Sequence, residues 1–196
     1  LLLAFIQGLT EFLPVSSSGH LIIIPHILGW PDQGLAMDVA VHVGTLLAVL
    51  LYFHKDIYAM IRGFITCCQG QHNEDGHLAL KIGVATLPAV IGGAALSMVQ
   101  LPLLRTCLFV GFTTLIFGIL LGVVDHLKPQ QENVTLTYKK SFFIGMAQAM
   151  ALLPGVSRSG ICMTMGRYFM LKRTDAARFS FLLSIPTIIG AAVLTG

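Results

Sequence analysis

Apolar positions in this chain run in long uncharged stretches instead of alternating with polar ones. Ile82 to Leu104 and Thr106 to Val124 contain no Asp, Glu, Lys or Arg. About 20 such residues suffice for a helix to cross a ~30 Å hydrocarbon core, so both are predicted membrane spans. Val39 to Phe53 and Phe179 to Thr195 are shorter spans, entered from Asp38 and Arg178. Leu1 to Leu13 and Ser141 to Leu153 are shorter again and stop at Pro14 and Pro154, while Ile57 to Cys68 reads as an interfacial helix. Polar joints fall at Gln69 to His77 and Lys128 to Lys140, and neither has the character of a second domain.

Two stretches break the pattern. Phe12 to Pro31 is uncharged apart from its flanks but is interrupted by Pro14, Ser16-Ser17-Ser18, Gly19, Pro25 and Gly29. Leu153 to Thr164 is interrupted by Pro154, Gly155, Ser157, Ser159 and Gly160, with Arg158 in its middle. Irregular backbone at membrane depth is tolerated only where protein or a watery cavity satisfies its polar groups, so both are expected to be re-entrant segments. They also resemble each other: Leu13-Pro-Val-Ser-Ser-Ser-Gly19 matches Leu153-Pro-Gly-Val-Ser-Arg-Ser-Gly160 with one extra glycine in the second. A further pair is Thr86-Leu-Pro-Ala-Val-Ile-Gly92 and Ser184-Ile-Pro-Thr-Ile-Ile-Gly190. Paired interrupted segments point to inverted-topology repeats with the site between them. The expected fold is therefore an all-α integral membrane protein. It is a polytopic helical bundle and a single transmembrane domain over 1–196, with repeat halves of about 1–104 and 105–196.

Composition narrows the class. Of 196 residues, 55% are hydrophobic and only 11% charged, which excludes a disordered chain and an ordinary soluble domain. The net charge of +3 sits in short loops instead of a stripe, so no nucleic-acid partner is expected. The four cysteines (Cys67, Cys68, Cys107, Cys162) have no metal-ligand spacing and read as packing residues. The apolar first and last residues suggest a piece of a longer chain.

Chemistry concentrates at three places. Gln7 and Glu11 stand at i and i+4 on one helix face, and a carboxylate in an apolar span is a functional-site candidate by its cost alone. Ser16, Ser17, Ser18 and His20 could supply a nucleophile with its acid or base, or a histidine that attacks phosphorus itself; capping of the next helix is the plainer reading. Arg158, with Ser157, Ser159 and a following helix N-terminus, forms an anion receptor suited to phosphate, to which Thr164 adds a hydroxyl. Asp38 and His42 also stand at i and i+4, where His42 could be a ligand or proton carrier but helix packing is the simpler explanation. Arg167, Lys172, Arg173 and Arg178 cluster as expected for contact with anionic lipid. These residues point to phosphate chemistry or phosphate transport in a membrane, and do not choose between them.

Gln7-x-x-x-Glu11, Pro14-Val-Ser-Ser-Ser-Gly-His20 and Pro154-Gly-Val-Ser-Arg-Ser-Gly160 resemble the signature motifs of the bacterial undecaprenyl-diphosphatases of the bacitracin-resistance type. The similarity extends to Val41-His-Val-Gly-Thr-Leu-Leu-Ala48 and Ala177-Arg-Phe-Ser-Phe-Leu-Leu-Ser-Ile-Pro186, and so covers most of the chain. The resemblance implies a multi-pass phosphatase of the bacterial inner membrane that converts undecaprenyl diphosphate to undecaprenyl phosphate and inorganic phosphate. That reaction recycles the lipid carrier of peptidoglycan synthesis. The resemblance further implies a divalent cation (Mg²⁺ or Ca²⁺), a site facing the periplasmic side, contacts with membrane lipids, and a homodimer as one oligomeric option. By position, Gln7 and Glu11 would bind metal or assist proton transfer. Ser17, with Ser16 as second choice, is the nucleophile candidate, and His20 is acid, base or competing nucleophile. Arg158 would act with Ser157, Ser159 and Thr164 in holding the diphosphate. Gln7 departs from the family's acidic alternative and carries no charge, so any carboxylate role falls on Glu11. Family members are longer, and the lacking C-terminal helices would complete the fold. A lipid-phosphate or small-anion transporter on the same repeats is the alternative, separated by the Ser/His turn that transport does not need. The acid-phosphatase-like membrane phosphatases are a poorer match, because their Lys…Arg-Pro and His-x-x-x-Asp motifs are not found.

Overall fold

The computed structural model describes residues 1–31, 33–97, 106–132 and 134–195. Among the described residues all regular structure is helical: α1 (Leu2–Thr10), α2 (Ser17–Ile27), α3 (Gly34–Tyr52), α4 (His54–Cys68), α5 (Glu74–Ser97), α6 (Cys107–Leu127), α7 (Tyr138–Ala149), α8 (Arg158–Tyr168) and α9 (Arg173–Thr195), with a 3-10 turn at Met150–Leu152 before α8. The end of the expected 82–104 span and the 104/105 boundary between repeat halves lie outside the described residues.

Among the described residues, three helices are long and apolar enough to cross a membrane: Glu74–Leu96, Cys107–Leu127 and Arg173–Val193. Met37–Tyr52 and His54–Cys68 form a fourth, broken pair, bent by 76°. α5 therefore starts at Glu74, earlier than the uncharged stretch alone predicts. Glu74 and Asp75 in its first turn complement the positive end of the helix, and Asn73 Oδ1 accepts from Gly76 N at 3.0 Å. α6 turns Leu108, Phe112, Leu115, Ile119 and Val123 outward, as a lipid-facing helix must.

The core lies where α5, α7, α8 and α9 meet, around Ala85, Ile144, Ala147, Ile161, Leu182 and Leu183. α5 and α7 approach backbone to backbone: a Cβ on Gly145 would stand 2.2 Å from Ala85 O. Small residues at helix crossings let close packing replace the hydrophobic drive that lipid does not supply. At the far end of α8, Arg167 is 2% exposed and donates to Asp125 Oδ1 at 2.6 Å, Leu171 O at 2.6 Å and Lys128 O at 2.5 Å. It fastens α8 to the end of α6 and does not reach toward lipid. Arg173 pairs with the same Asp125 at 2.8 Å, and Arg178 pairs with Asp56 on α4. Three cations of the basic cluster thus hold helices together.

The two interrupted stretches fold as closely similar turns. Ser16 caps α2 by accepting from Gly19 N at 3.2 Å, and Ser157 caps α8 by accepting from Gly160 N at 3.1 Å. Each cap serine also lies beside the serine two residues on, Ser18 at 3.4 Å and Ser159 at 3.2 Å. The additional glycine in the second turn, Gly155, takes φ +91°, and a Cβ there would lie 2.0 Å from Thr113 Oγ1. The first turn has no such glycine, and Ser16 itself adopts φ 62°. The turns touch, for a Cβ on Gly160 would meet Pro14 Cβ at 3.4 Å. Thr113 donates to Pro154 O at 2.7 Å and Thr114 to Gly155 O at 3.1 Å, so α6 satisfies the carbonyls of the second turn. The second sequence pair sits at different places in element order. Pro88 is in α5, the third helix after α2, whereas Pro186 is in α9, which directly follows α8.

Candidate active site

The pairing of the turns brings the first residue of α2, Ser17, and the first residue of α8, Arg158, onto one carboxylate. Ser17 Oγ donates to Glu11 Oε2 at 2.6 Å, and Arg158 Nη2 donates to Glu11 Oε1 at 2.6 Å. Gln7 Nε2, one helical turn below on α1, donates to the same Oε2 at 2.9 Å. The site therefore balances one carboxylate against one guanidinium. The carboxylate is 6% exposed and the guanidinium side chain 15%.

Glu11, Ser17 and Arg158 line a cavity of about 170 Å³ with Ser18, His42, Gln148, Ser157 and an apolar wall that includes Val156, Leu152 and Ile188. The first residues of α2 and α8 both line it, so the positive ends of the two helices add to the potential of Arg158. An apolar wall with positive helix ends, a guanidinium and a carboxylate-bound hydroxyl suits a phosphate ester or anhydride attached to a lipid. Arg158 is itself held by α9, through Nη1 to Ser180 O at 3.3 Å.

The other expected site residues are placed as follows. Ser159 is 2% exposed and lies within reach of Glu11 O at 3.4 Å and Leu13 O at 3.3 Å, so it ties the end of α1 to α8. Thr164 is 5% exposed and donates to Gly160 O at 2.7 Å within α8. Ser16 and His20 line a neighbouring cavity of about 310 Å³ with Thr114, Phe117 and Gly155, and Ser157 borders both cavities. His20 Nδ1 lies 2.8 Å from Ser16 O. The histidine beside the carboxylate is instead His42. Its Nε2 stands 3.4 Å from Glu11 Oε2, and its Nδ1 lies 2.7 Å from Asp38 O, one turn earlier in α3. The i, i+4 spacing of Asp38 and His42 places the ring on its helix. Only the packing of α3 against α1 brings it to Glu11.

Gln7 is fully buried, and its Oε1 has no hydrogen-bond partner among the described residues. Among the described residues, no three His, Cys, Asp or Glu side chains group closely enough to hold a metal ion. The Glu11 carboxylate and the unpartnered Gln7 Oε1, which is not part of the cavity lining, are the oxygen donors at hand, so a cation would need phosphate oxygens to complete its coordination.

Fold and site together define an α-helical membrane protein with a buried serine–carboxylate–arginine pocket at the meeting point of two helix starts. The model for "Bacitracin resistance protein BacA" matches residues 1–195, and the chain belongs to that family. A relative named undecaprenyl-diphosphatase from Alcanivorax borkumensis is 51% identical over 196 residues, covering 99% of this chain and 74% of the relative. Relatives of the same name from Alteromonas mediterranea (52% identical over 198 residues) and Hahella chejuensis (48% over 195 residues) cover 99% of this chain each and 74% and 73% of their own lengths.

Proposed function

We propose that this chain hydrolyses undecaprenyl diphosphate to undecaprenyl phosphate and inorganic phosphate within the membrane. The observation that carries the reading is the Ser17 hydroxyl bound to the Glu11 carboxylate at 2.6 Å beside Arg158, in a chain about half identical to proteins of that name. A hydroxyl within hydrogen-bond reach of a carboxylate is the arrangement of a nucleophile and its base.

A diphosphate entering the cavity competes with Glu11 for Arg158. The guanidinium exchanges the carboxylate for phosphate oxygens, as the geometry of both acids allows, and Glu11 is left free to accept a proton. Ser17 Oγ then attacks the terminal phosphorus while its proton passes to Glu11. The bond from that phosphorus to the bridging oxygen breaks, Glu11 gives its proton to that oxygen, and undecaprenyl phosphate departs. Water next attacks the phosphoserine, giving one proton to the freed Glu11 carboxylate, which passes it to Ser17 Oγ as that oxygen leaves; inorganic phosphate is released and the site is restored. Arg158 and the two helix N-termini stabilise charge on the transferring group throughout. A divalent cation held by Glu11 and Gln7 Oε1 would add Lewis-acid neutralisation of the diphosphate oxygens. His42 Nε2 faces the same carboxylate and helps to hold its orientation.

The two turns are taken as re-entrant units of an inverted repeat, supported by their matching caps, with the cavity opening to the outer face of the inner membrane. The isoprenoid tail remains among lipid chains, and a second copy of the chain is the candidate partner. A transporter would have no use for a hydroxyl poised on a carboxylate, and the relatives' names lend it nothing.

The test uses the full-length protein in detergent with undecaprenyl diphosphate, following both products by phosphorus NMR. Equal amounts of lipid monophosphate and orthophosphate are expected. Unchanged substrate with folded protein, together with lipid-phosphate flux in liposomes, would establish transport instead.

A further inference from the structure

Gln148 is 2% exposed, near the end of α7, and lines the same cavity as Arg158 and Ser17. Its Oε1 is turned toward α8 and α9, where Cys162 Sγ lies at 3.9 Å and Thr187 Oγ1 at 3.4 Å. Its Nε2 is buried and has no hydrogen-bond partner among the described residues. A buried amide donor without an acceptor is costly, and such groups are rare enough that each calls for a cause. Here the cause is at hand: the amide is held by its oxygen side, and the cavity it borders is built for an anion.

Resting on the phosphatase reading, we infer that Gln148 is a substrate-binding residue whose Nε2 donates to a phosphate oxygen of the bound diphosphate. It complements Arg158 from the preceding helix, α7. Arg158 supplies charge from α8, and Gln148 supplies a neutral, fixed donor from α7 that needs no counter-ion while the cavity holds no phosphate. The contact forms when substrate binds and persists through phosphoryl transfer, so its loss should act on binding more than on the chemical step.

The experiment compares the full-length wild-type protein with Gln148→Met and Gln148→Glu, using a soluble short-chain polyprenyl diphosphate as substrate and inorganic pyrophosphate as binding probe. Met keeps the volume and removes the donor; Glu keeps the shape but presents negative charge to the phosphate. Gln148→Met should raise KM about ten- to a hundredfold with kcat changed much less, the range for a hydrogen bond to a charged group. Gln148→Glu should be weaker still. Without ligand, the melting temperature of Gln148→Met should equal or exceed that of wild type, because an unmatched buried donor has been removed. Stabilisation by pyrophosphate should be lost. A lowered melting temperature with unchanged KM would make Gln148 structural and overturn the inference, as would full activity in Gln148→Glu. Failure of the wild type itself to hydrolyse the substrate would count against the phosphatase reading, whereas an unaltered Gln148→Met beside an active wild type would count against Gln148 alone.

Discussion

At the scale of single residues, the site is organised by one carboxylate with more partners than a bystander needs. Glu11 is met by Ser17, Arg158 and Gln7 within 2.9 Å and by His42 at 3.4 Å, contributed by α1, α2, α3 and α8. Ser17→Ala removes the proposed nucleophile, and Glu11→Gln keeps the shape and one of the two acceptor oxygens while removing the base. Each should lower kcat by roughly 10²–10⁴ with the circular-dichroism melt little changed, the range for losing a positioned acid–base or nucleophilic group. Arg158→Ala should cost a similar factor through lost charge stabilisation. Unaltered steady-state rates in any of the three would remove that residue from the proposed reaction. His42 acts by holding Glu11, so a side chain with a nitrogen at the same reach should replace it. His42→Gln should retain most activity, and His42→Leu should lose about tenfold through the lost polar contact at 3.4 Å from the buried carboxylate. Equal rates for the two variants would mean the ring only packs.

At the scale of elements, the chemistry depends on two short helices starting at the same point. α2 and α8 share a serine cap, a glycine three residues later and a side chain at the first helical position that meets Glu11. Their irregular backbone is affordable at depth because neighbours answer its polar groups, Thr113 and Thr114 for the second turn and Ser159 for the end of α1. Thr113→Val conserves shape and leaves Pro154 O without its hydroxyl donor. It should destabilise the protein by about 1–3 kcal/mol, the cost of one unsatisfied buried group, and lower activity through a displaced Arg158. Thermal melts in detergent, read beside turnover, check both effects; a melt equal to wild type would show that the turn does not rely on α6.

The element scale also shows what the chain reveals before folding. Glu11, Ser17 and Arg158 were legible because an ionisable group in an apolar run, a hydroxyl cluster and an arginine flanked by serines each defy the local pattern. Gln148 is not legible, and His42 stands out only through its i, i+4 spacing from Asp38, because tertiary packing alone decides whether such a residue meets a cavity or a neighbour. The same holds for Arg167, whose spacing from Arg173 and Arg178 suggests a surface cluster. Its partner, Asp125, is on another helix and is brought to it by the fold. Serine spacing identified both turns, yet put Ser16 and His20 in the same group as Ser17. A helix starting at Ser17 sends these side chains to different sides, and the two cavities divide accordingly.

At the scale of the whole molecule, long apolar helices set the depth at which a small polar site can exist. α5, α6 and α9 provide the spans, and the cavity lies where the starts of the short helices α2 and α8 meet α3, α5 and α9. That arrangement fits a substrate divided between a lipid-soluble tail and a highly charged head. The head needs a protein-lined polar pocket, since bare hydrocarbon rejects it, and the tail needs no pocket at all. Membership of the bacitracin resistance family agrees with the same division of labour, a membrane protein acting on a lipid-linked phosphate.

The most direct measurement is phosphate release from undecaprenyl diphosphate by the purified full-length protein, with Mg²⁺ or Ca²⁺, with EDTA, and with Ser17→Ala. Steady release that depends on the divalent cation and falls at least about a hundredfold in Ser17→Ala is expected, in keeping with the loss of a nucleophile. Release by Ser17→Ala at the wild-type rate would contradict the central assignment, and no release by folded wild-type protein would contradict the reaction itself.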